Sequence, residues 1–139
     1  MTRWREHLAA VLDQPPYEPV TAAVVRGAAS SPSTTLLAAW LSLPFGSPVR
    51  CHVERPSAWD HGIHSVRLTR PSGDILRKRR TRSVAVLTQP GQPDHELHLP
   101  RRTLPECLAE ELRRLDPDVL FGRVIGEGRA RLLEQRSAA

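Results

Sequence analysis

The chain is poor in aromatic residues: three tryptophans, two phenylalanines and one tyrosine make up 4% of 139 positions. Its core must therefore be built mostly from Leu, Val and Ala. Lysine is nearly absent, so Lys78 stands alone among 20 basic residues and the rest are arginines. Two cysteines, Cys51 and Cys107, are too few for a disulfide-stapled scaffold, and the expectation is two reduced thiols in the cytoplasm. No run of about 18 apolar residues occurs, which excludes a membrane-spanning helix. The most apolar stretch, Ser30 to Gly46, is too short and is broken by Pro44. The N-terminus carries Arg3, Arg5 and Glu6 and no apolar segment, unlike a secretory signal. Also missing are a GxxxxGK[ST] phosphate loop, a GxGxxG opening a helix and a GxSxG elbow. Nucleotide binding and serine hydrolysis thus lack their usual frameworks.

The mass of 15.5 kDa points to one domain over residues 1–139, with the tail from Glu127 to Arg136 expected to continue helically and then fray. A hydrophobic content of 40% and a charged content of 25% are those of a globular protein. The formal charge of +5 suits an acidic partner or a nucleic acid. The arginine bias reads as the mark of a GC-rich genome, which weakens the charge signal.

Along the chain, Trp4, Leu8 and Leu12 recur every four residues and predict a helix from Thr2 to Leu12, ended by Gln14-Pro15-Pro16. Val20 to Val25 is a continuous apolar run, which predicts a central strand buried on both faces. Ser31-Pro32 opens a second helix with Leu36, Leu37, Trp40 and Leu41 on its apolar side. Strands are then predicted at Val49 to Glu54, Gly62 to Thr69, Ile75 to Arg80, Ser83 to Thr88 and Glu96 to Leu99. Pro71-Ser72-Gly73-Asp74 makes a hairpin turn between two of them. Thr103 to Glu106 is a capping box, followed by a leucine stripe at Leu104, Leu108, Leu112 and Leu115. Glu110 and Arg114 should pair on its wet side. Asp116-Pro117 should cap a further helix packed by Val119, Leu120, Val124 and Ile125 and closed by Gly126. The order implies an α/β (α+β) fold: a single mixed β-sheet of about five to six strands covered by helices, with a helical C-terminus. The Val20 strand, the second helix and the Val49 strand form a candidate βαβ unit.

Three clusters invite a chemical reading. Cys51, His52, Asp60, His61 and His64 could hold zinc or pair a thiol with a base. Their spacing matches no standard zinc module, and Cys51 and His52 point to opposite sides of a strand. A packed cysteine and loop histidines explain them better. The basic run Arg77 to Arg82 could contact phosphates, but no aromatics interleave with it. It reads instead as an exposed edge strand whose charges block sheet-to-sheet pairing. Glu106, Glu110, Glu111, Asp116 and Asp118 read as caps and helix surface and not as an acid–base pair. No catalytic residue, metal ligand or cofactor site is therefore assigned.

Three segments carry a resemblance: Gly91-Gln92-Pro93-Asp94, Leu99-Pro100-Arg101-Arg102, and Leu108 to Asp118 (LAEELRRLDPD). With Trp4-Arg5, Ser31 to Leu41 (SPSTTLLAAWL), Ser47-Pro48-Val49 and Ile63 to Pro71 (IHSVRLTRP) in the same order, the chain resembles the glucose-6-phosphate dehydrogenase assembly protein (OpcA) family of actinobacteria and cyanobacteria. The likeness is to the C-terminal half of a typical member. It implies a cytoplasmic, non-catalytic regulatory protein that binds glucose-6-phosphate dehydrogenase and promotes its active oligomer, with no cofactor. The polar members of the matched segment, Arg101, Arg102, Arg113, Arg114 and Asp118, are the candidate partner contacts. Departures from the family pattern occur at Val119-Leu120-Phe121 and in the heavy basic run Arg77 to Arg82. A small nucleic-acid-binding module and a Cys/His metal-dependent enzyme are the alternative readings.

Overall fold

The computed structural model describes residues 2–55, 62–100, 102–113 and 117–137. The chain opens with helix α1 (Thr2–Leu12), strand β1 (Ala22–Ala28), helix α2 (Pro32–Leu41) and strand β2 (Val49–Glu54). Four strands follow: β3 (Ile63–Thr69), β4 (Ile75–Arg79), β5 (Val84–Thr88) and β6 (His95–His98). Helices α3 (Leu104–Arg113), α4 (Val119–Arg123) and α5 (Arg129–Ser137) end it, with a π-turn at Val124–Gly128 joining the last two.

The six strands form one mixed sheet in the order β2-β1-β3-β4-β5-β6. β1 and β2 run parallel because α2 carries the chain back between them, whereas all the other pairs are antiparallel. Ser31 caps α2 by accepting from Ser33 N, with Pro32 at the first helical position. At the β3–β4 hairpin the turn closes through Gly73, whose φ of +124° suits glycine and whose N–H donates to Arg70 O at 3.0 Å. The register slips by one between Arg26 and Gly27, where Gly27 faces Ile63 and His64 becomes the extra residue. Ile63, Val66 and Leu68 consequently reach the core while His64 stays half-buried.

One face of the sheet is the core face. It carries Ala23, Val25, Val49, Val66, Leu68, Ile75, Ala85 and Leu87. Trp4, Leu8 and Val11 of α1, Leu37, Ala38 and Leu41 of α2, and Leu132 of α5 complete the same cluster. The opposite face, with Arg26, Arg50, His52, Arg67, Lys78 and Glu96 exposed, has no helical layer among the described residues. β1 is interior, as its apolar run predicts, but only one of its faces is fully buried. Ala22 and Val24 are partly exposed and Arg26 is open to solvent. Apolar continuity overstated the burial because small and β-branched residues also suit a half-covered surface.

The basic run departs from expectation more sharply. β4 is an interior strand between β3 and β5, and β2 and β6 are the edges. Pleating sends Arg77 and Arg79 under the helices and leaves Lys78 and Arg80 outside. Arg77 is only 1% exposed. Its guanidinium lies 4.7 Å from the centre of the Trp4 ring and donates to His7 Nδ1 at 3.1 Å. No carboxylate pairs with it among the described residues, so the aromatic face and the imidazole lone pair stand in for a counter-charge. Burial, with Arg79 adding to it, pushes Arg77 down to about 10.

Candidate partner-binding surface

The C-terminal arm begins with the expected capping box. Glu106 Oε2 accepts from Thr103 N at 2.7 Å and from the Thr103 hydroxyl at 3.0 Å. Glu106 N approaches Thr103 Oγ1 at 3.5 Å. Those hydrogen bonds hold the Glu106 carboxyl below its ordinary range. Glu110 pairs with Arg102 across the start of the helix. Its expected partner Arg114 lies outside the described residues, as do Leu115 and Asp116.

The leucine stripe of α3 is not core. Leu104, Leu108 and Leu112 are 73%, 53% and 72% exposed. The pattern is that of an amphipathic helix, but the apolar cluster on the sheet is completed by α1, α2 and α5 and takes no residue from α3 among the described residues. Among the described residues, the groove lined by Glu106, Ala109, Glu110 and Arg113 draws its walls from this single helix.

Helix α4 also differs from expectation. Its cap is Asp118, whose carboxylate accepts from Phe121 N at 2.8 Å. Asp116 lies outside the described residues. Val119, Phe121 and Ile125 are 71%, 44% and 43% exposed, and only Val124 of the expected packing set is fully buried. Gly126 does not close the helix; the π-turn carries the chain straight into α5. Val124, Gly128 and Leu132, spaced by four, then form the inward stripe. This tail is clamped down by polar contacts. The Ser42 hydroxyl lies 2.7 Å from Ala39 O and 3.0 Å from Gly128 O. Arg131 Nη1 donates to Leu43 O at 3.2 Å, and Gln135 Oε1 accepts from Val49 N at 2.8 Å.

The five polar candidates do not act alike. Arg102 is half-buried and tied to Glu110, and Asp118 is spent on the α4 cap. Arg113 is exposed. Arg101 and Arg114 lie outside the described residues. The exposed apolar residues Leu104, Leu108, Leu112, Val119, Phe121 and Ile125 were missed as surface features. Their spacing was visible, but exposure depends on what else covers the sheet.

The other clusters stay dispersed. Cys51 and His52 point to opposite faces as the strand requires, and Asp60 and His61 lie outside the described residues. Burial pushes the Cys51 thiol up, with Thr35 and Arg136 only partly offsetting it, so it is not an activated thiolate. His64 Nδ1 lies 3.7 Å from Glu54 Oε2. Among the described residues no three His, Cys, Asp or Glu side chains are grouped to hold a metal. No helix there is long and apolar enough to cross a membrane. The basic run is divided between the two sheet faces, and Arg80 is paired with Glu96 at 3.5 Å, so it offers no continuous phosphate track.

A family model described as the C-terminal domain of the glucose-6-phosphate dehydrogenase subunit matches residues 1–125. No curated protein and no solved structure matches the chain.

Proposed function

From the premise that this chain belongs to that family, the C-terminal domain of the glucose-6-phosphate dehydrogenase subunit, we propose that it is a non-catalytic regulatory protein. It binds glucose-6-phosphate dehydrogenase in the cytoplasm and shifts the enzyme toward its active oligomer. The observation that carries the reading is the uncovered apolar surface of α4 and the π-turn. Val119, Phe121 and Ile125 stand exposed on an arm whose other side is firmly clamped, and all three fall inside the family match. Patches of this kind, rimmed by charge, are what protein partners cover. Phe121 is the natural anchor, since aromatic residues dominate binding at such surfaces. The arginines of the arm, Arg101, Arg102, Arg113 and Arg114, steer an acidic surface of the dehydrogenase toward it. Asp118 fixes the start of α4 and so orients Phe121. Preferential binding to the assembled enzyme moves the assembly equilibrium by mass action without new chemistry.

The test is co-purification with the dehydrogenase of the same organism, and its activity with and without this chain. A complex and a raised rate or substrate affinity are expected. Phe121→Asp should weaken the complex by about tenfold or more, the loss usual for a buried aromatic anchor. No complex and no change in rate or affinity would sink the proposal.

A further inference from the structure

The sheet face turned away from the helices is charged but not uniformly polar. Backbone register sets Arg50, Val24, Arg67 and Leu76 side by side in one row across β2, β1, β3 and β4. The next row runs Arg26, Ser65, Lys78 and Val86 across β1, β3, β4 and β5. We propose that this face docks an acidic amphipathic segment of a partner protein, with carboxylates set on Arg50 and Lys78 and aliphatic side chains on Val24, Leu76 and Val86. This goes beyond the dehydrogenase reading and does not depend on it. The surface on α4 lies on the helical side of the sheet, since the π-turn that follows it packs on α2, so one chain can hold both partners.

Charge selects the occupant. Five cations, Arg26, Arg50, Arg67, Lys78 and Arg80, stand exposed on this face. Its three carboxylates are already engaged: Glu54 lies 3.5 Å from Arg26, Asp74 3.6 Å from Arg67 and Glu96 3.5 Å from Arg80. Among the described residues no carboxylate pairs with Arg50 or Lys78, so five cations against three carboxylates leave an excess of two. The three ion pairs are long and exposed, so they contribute little and open readily to an incoming carboxylate. Arg50 and Arg67 flank Val24, and Arg26 and Lys78 flank Ser65, each pair two strands and hence about 9.5 Å apart. A carboxylate placed over Val24 or Ser65 thus lies between two cations. The apolar floor favours a protein over a polyphosphate. Val24, Leu76 and Val86 are only half-covered, although β1 has the continuous apolar sequence of a strand covered on both sides. No Phe, Tyr or Trp occurs in any of the six strands, so bases have nothing to stack on.

The experiment titrates the full chain into a fluorescein-labelled peptide of about 15 residues, roughly four helical turns, in which Glu and Leu recur on one face, and reads the anisotropy. Saturable binding that weakens as salt rises is expected. Arg50→Glu with Lys78→Glu should weaken it by about tenfold, since two exposed charge pairs are lost and repulsion takes their place. The control of equal charge, Arg82→Glu with Arg129→Glu, alters exposed arginines in the β4–β5 turn and on α5 and should bind as wild type does. In a nitrogen–proton correlation spectrum of the wild-type chain, the amide shifts caused by the peptide should centre on β1, β3 and β4. No binding, equal losses in the two double variants, or shifts centred on α3 or α4 each overturn the proposal. Tighter binding of an oligothymidylate of equal charge overturns it too, because the face is then a nucleic-acid surface. Should the Arg50 and Lys78 variant misfold, the shift map on the wild-type chain decides alone.

Discussion

Two glycines in the C-terminal tail should answer the same substitution with opposite signs. At Gly126 a Cβ would meet nothing within 4 Å. At Gly128 it would lie 2.4 Å from Ala39 O and 3.0 Å from Ala39 C, on the backbone of α2. Gly126→Ala therefore removes only the entropic cost of a helical glycine and should stabilise by about 0.8–1.0 kcal/mol. Gly128→Ala gains the same term but must push α5 off α2, since backbone cannot rotate aside as a side chain can. Normal contact needs roughly 0.8 Å of separation, and overpacking of this kind costs about 1–3 kcal/mol before any hydrogen bond is lost. The Ser42 bridge to Gly128 O, and the Gln135 contact to Val49 N, lie on the same interface and stretch with it. The two variants, two residues apart, should thus differ by the overpacking cost of about 1–3 kcal/mol, and by more where those hydrogen bonds are lost. Urea unfolding followed by circular dichroism measures this directly, provided the slope with denaturant is unchanged. The tail also positions Phe121 and Ile125, so Gly128→Ala should weaken dehydrogenase binding while Gly126→Ala leaves it intact. Equal midpoints for the two variants would refute the close approach of α5 to α2 and the clamp built on it.

Arg77→Met should leave the protein at least as stable as wild type: the cation–π contact it removes is worth about 0.5–2 kcal/mol, less than the several kcal/mol of desolvation it relieves. A loss above about 2 kcal/mol in urea unfolding would show instead that Arg77 has a counter-charge. His7 should make stability depend on pH. Burial and the neighbouring Arg77 lower its pKa in the folded state, so its contribution is full above the ordinary value of 6.5 and is lost as pH falls through the folded-state value. His7→Gln should flatten the fall in unfolding midpoint between about pH 7.5 and 5.5, and an unchanged slope would rule out His7 as its source. Cys107, exposed, should react with a thiol reagent well before Cys51, whose half-buried thiol has a raised pKa; faster modification of Cys51 would contradict its packing.

Much of the fold was legible because local rules carried it. The α1 stripe at Trp4, Leu8 and Leu12 has the helix period, and the Ser31-Pro32 start and the Thr103–Glu106 box act through neighbouring hydrogen bonds. The Gly73 turn is equally local. The errors share another origin. Arg77 looked like an edge residue because charge predicts solvent, yet neighbouring strands and Trp4 enclose it. The α3 leucines looked like core because periodicity reports that one side is apolar, not that anything covers it. The Gly126 stop failed where local signals competed, and the π-turn and the close approach of Gly128 to α2 decided the outcome.

The sequence by itself determined the elements, their order, the mixed sheet with its helices, and the family to which the chain belongs. Those follow from backbone sterics, hydrogen bonding and apolar period, all of which act within a few residues. Only the tertiary structure decided which apolar stripes are buried and which stand exposed. Burial is a competition among elements for one sheet face, and α1, α2 and α5 supply the helical side chains of the core cluster while α3 supplies none.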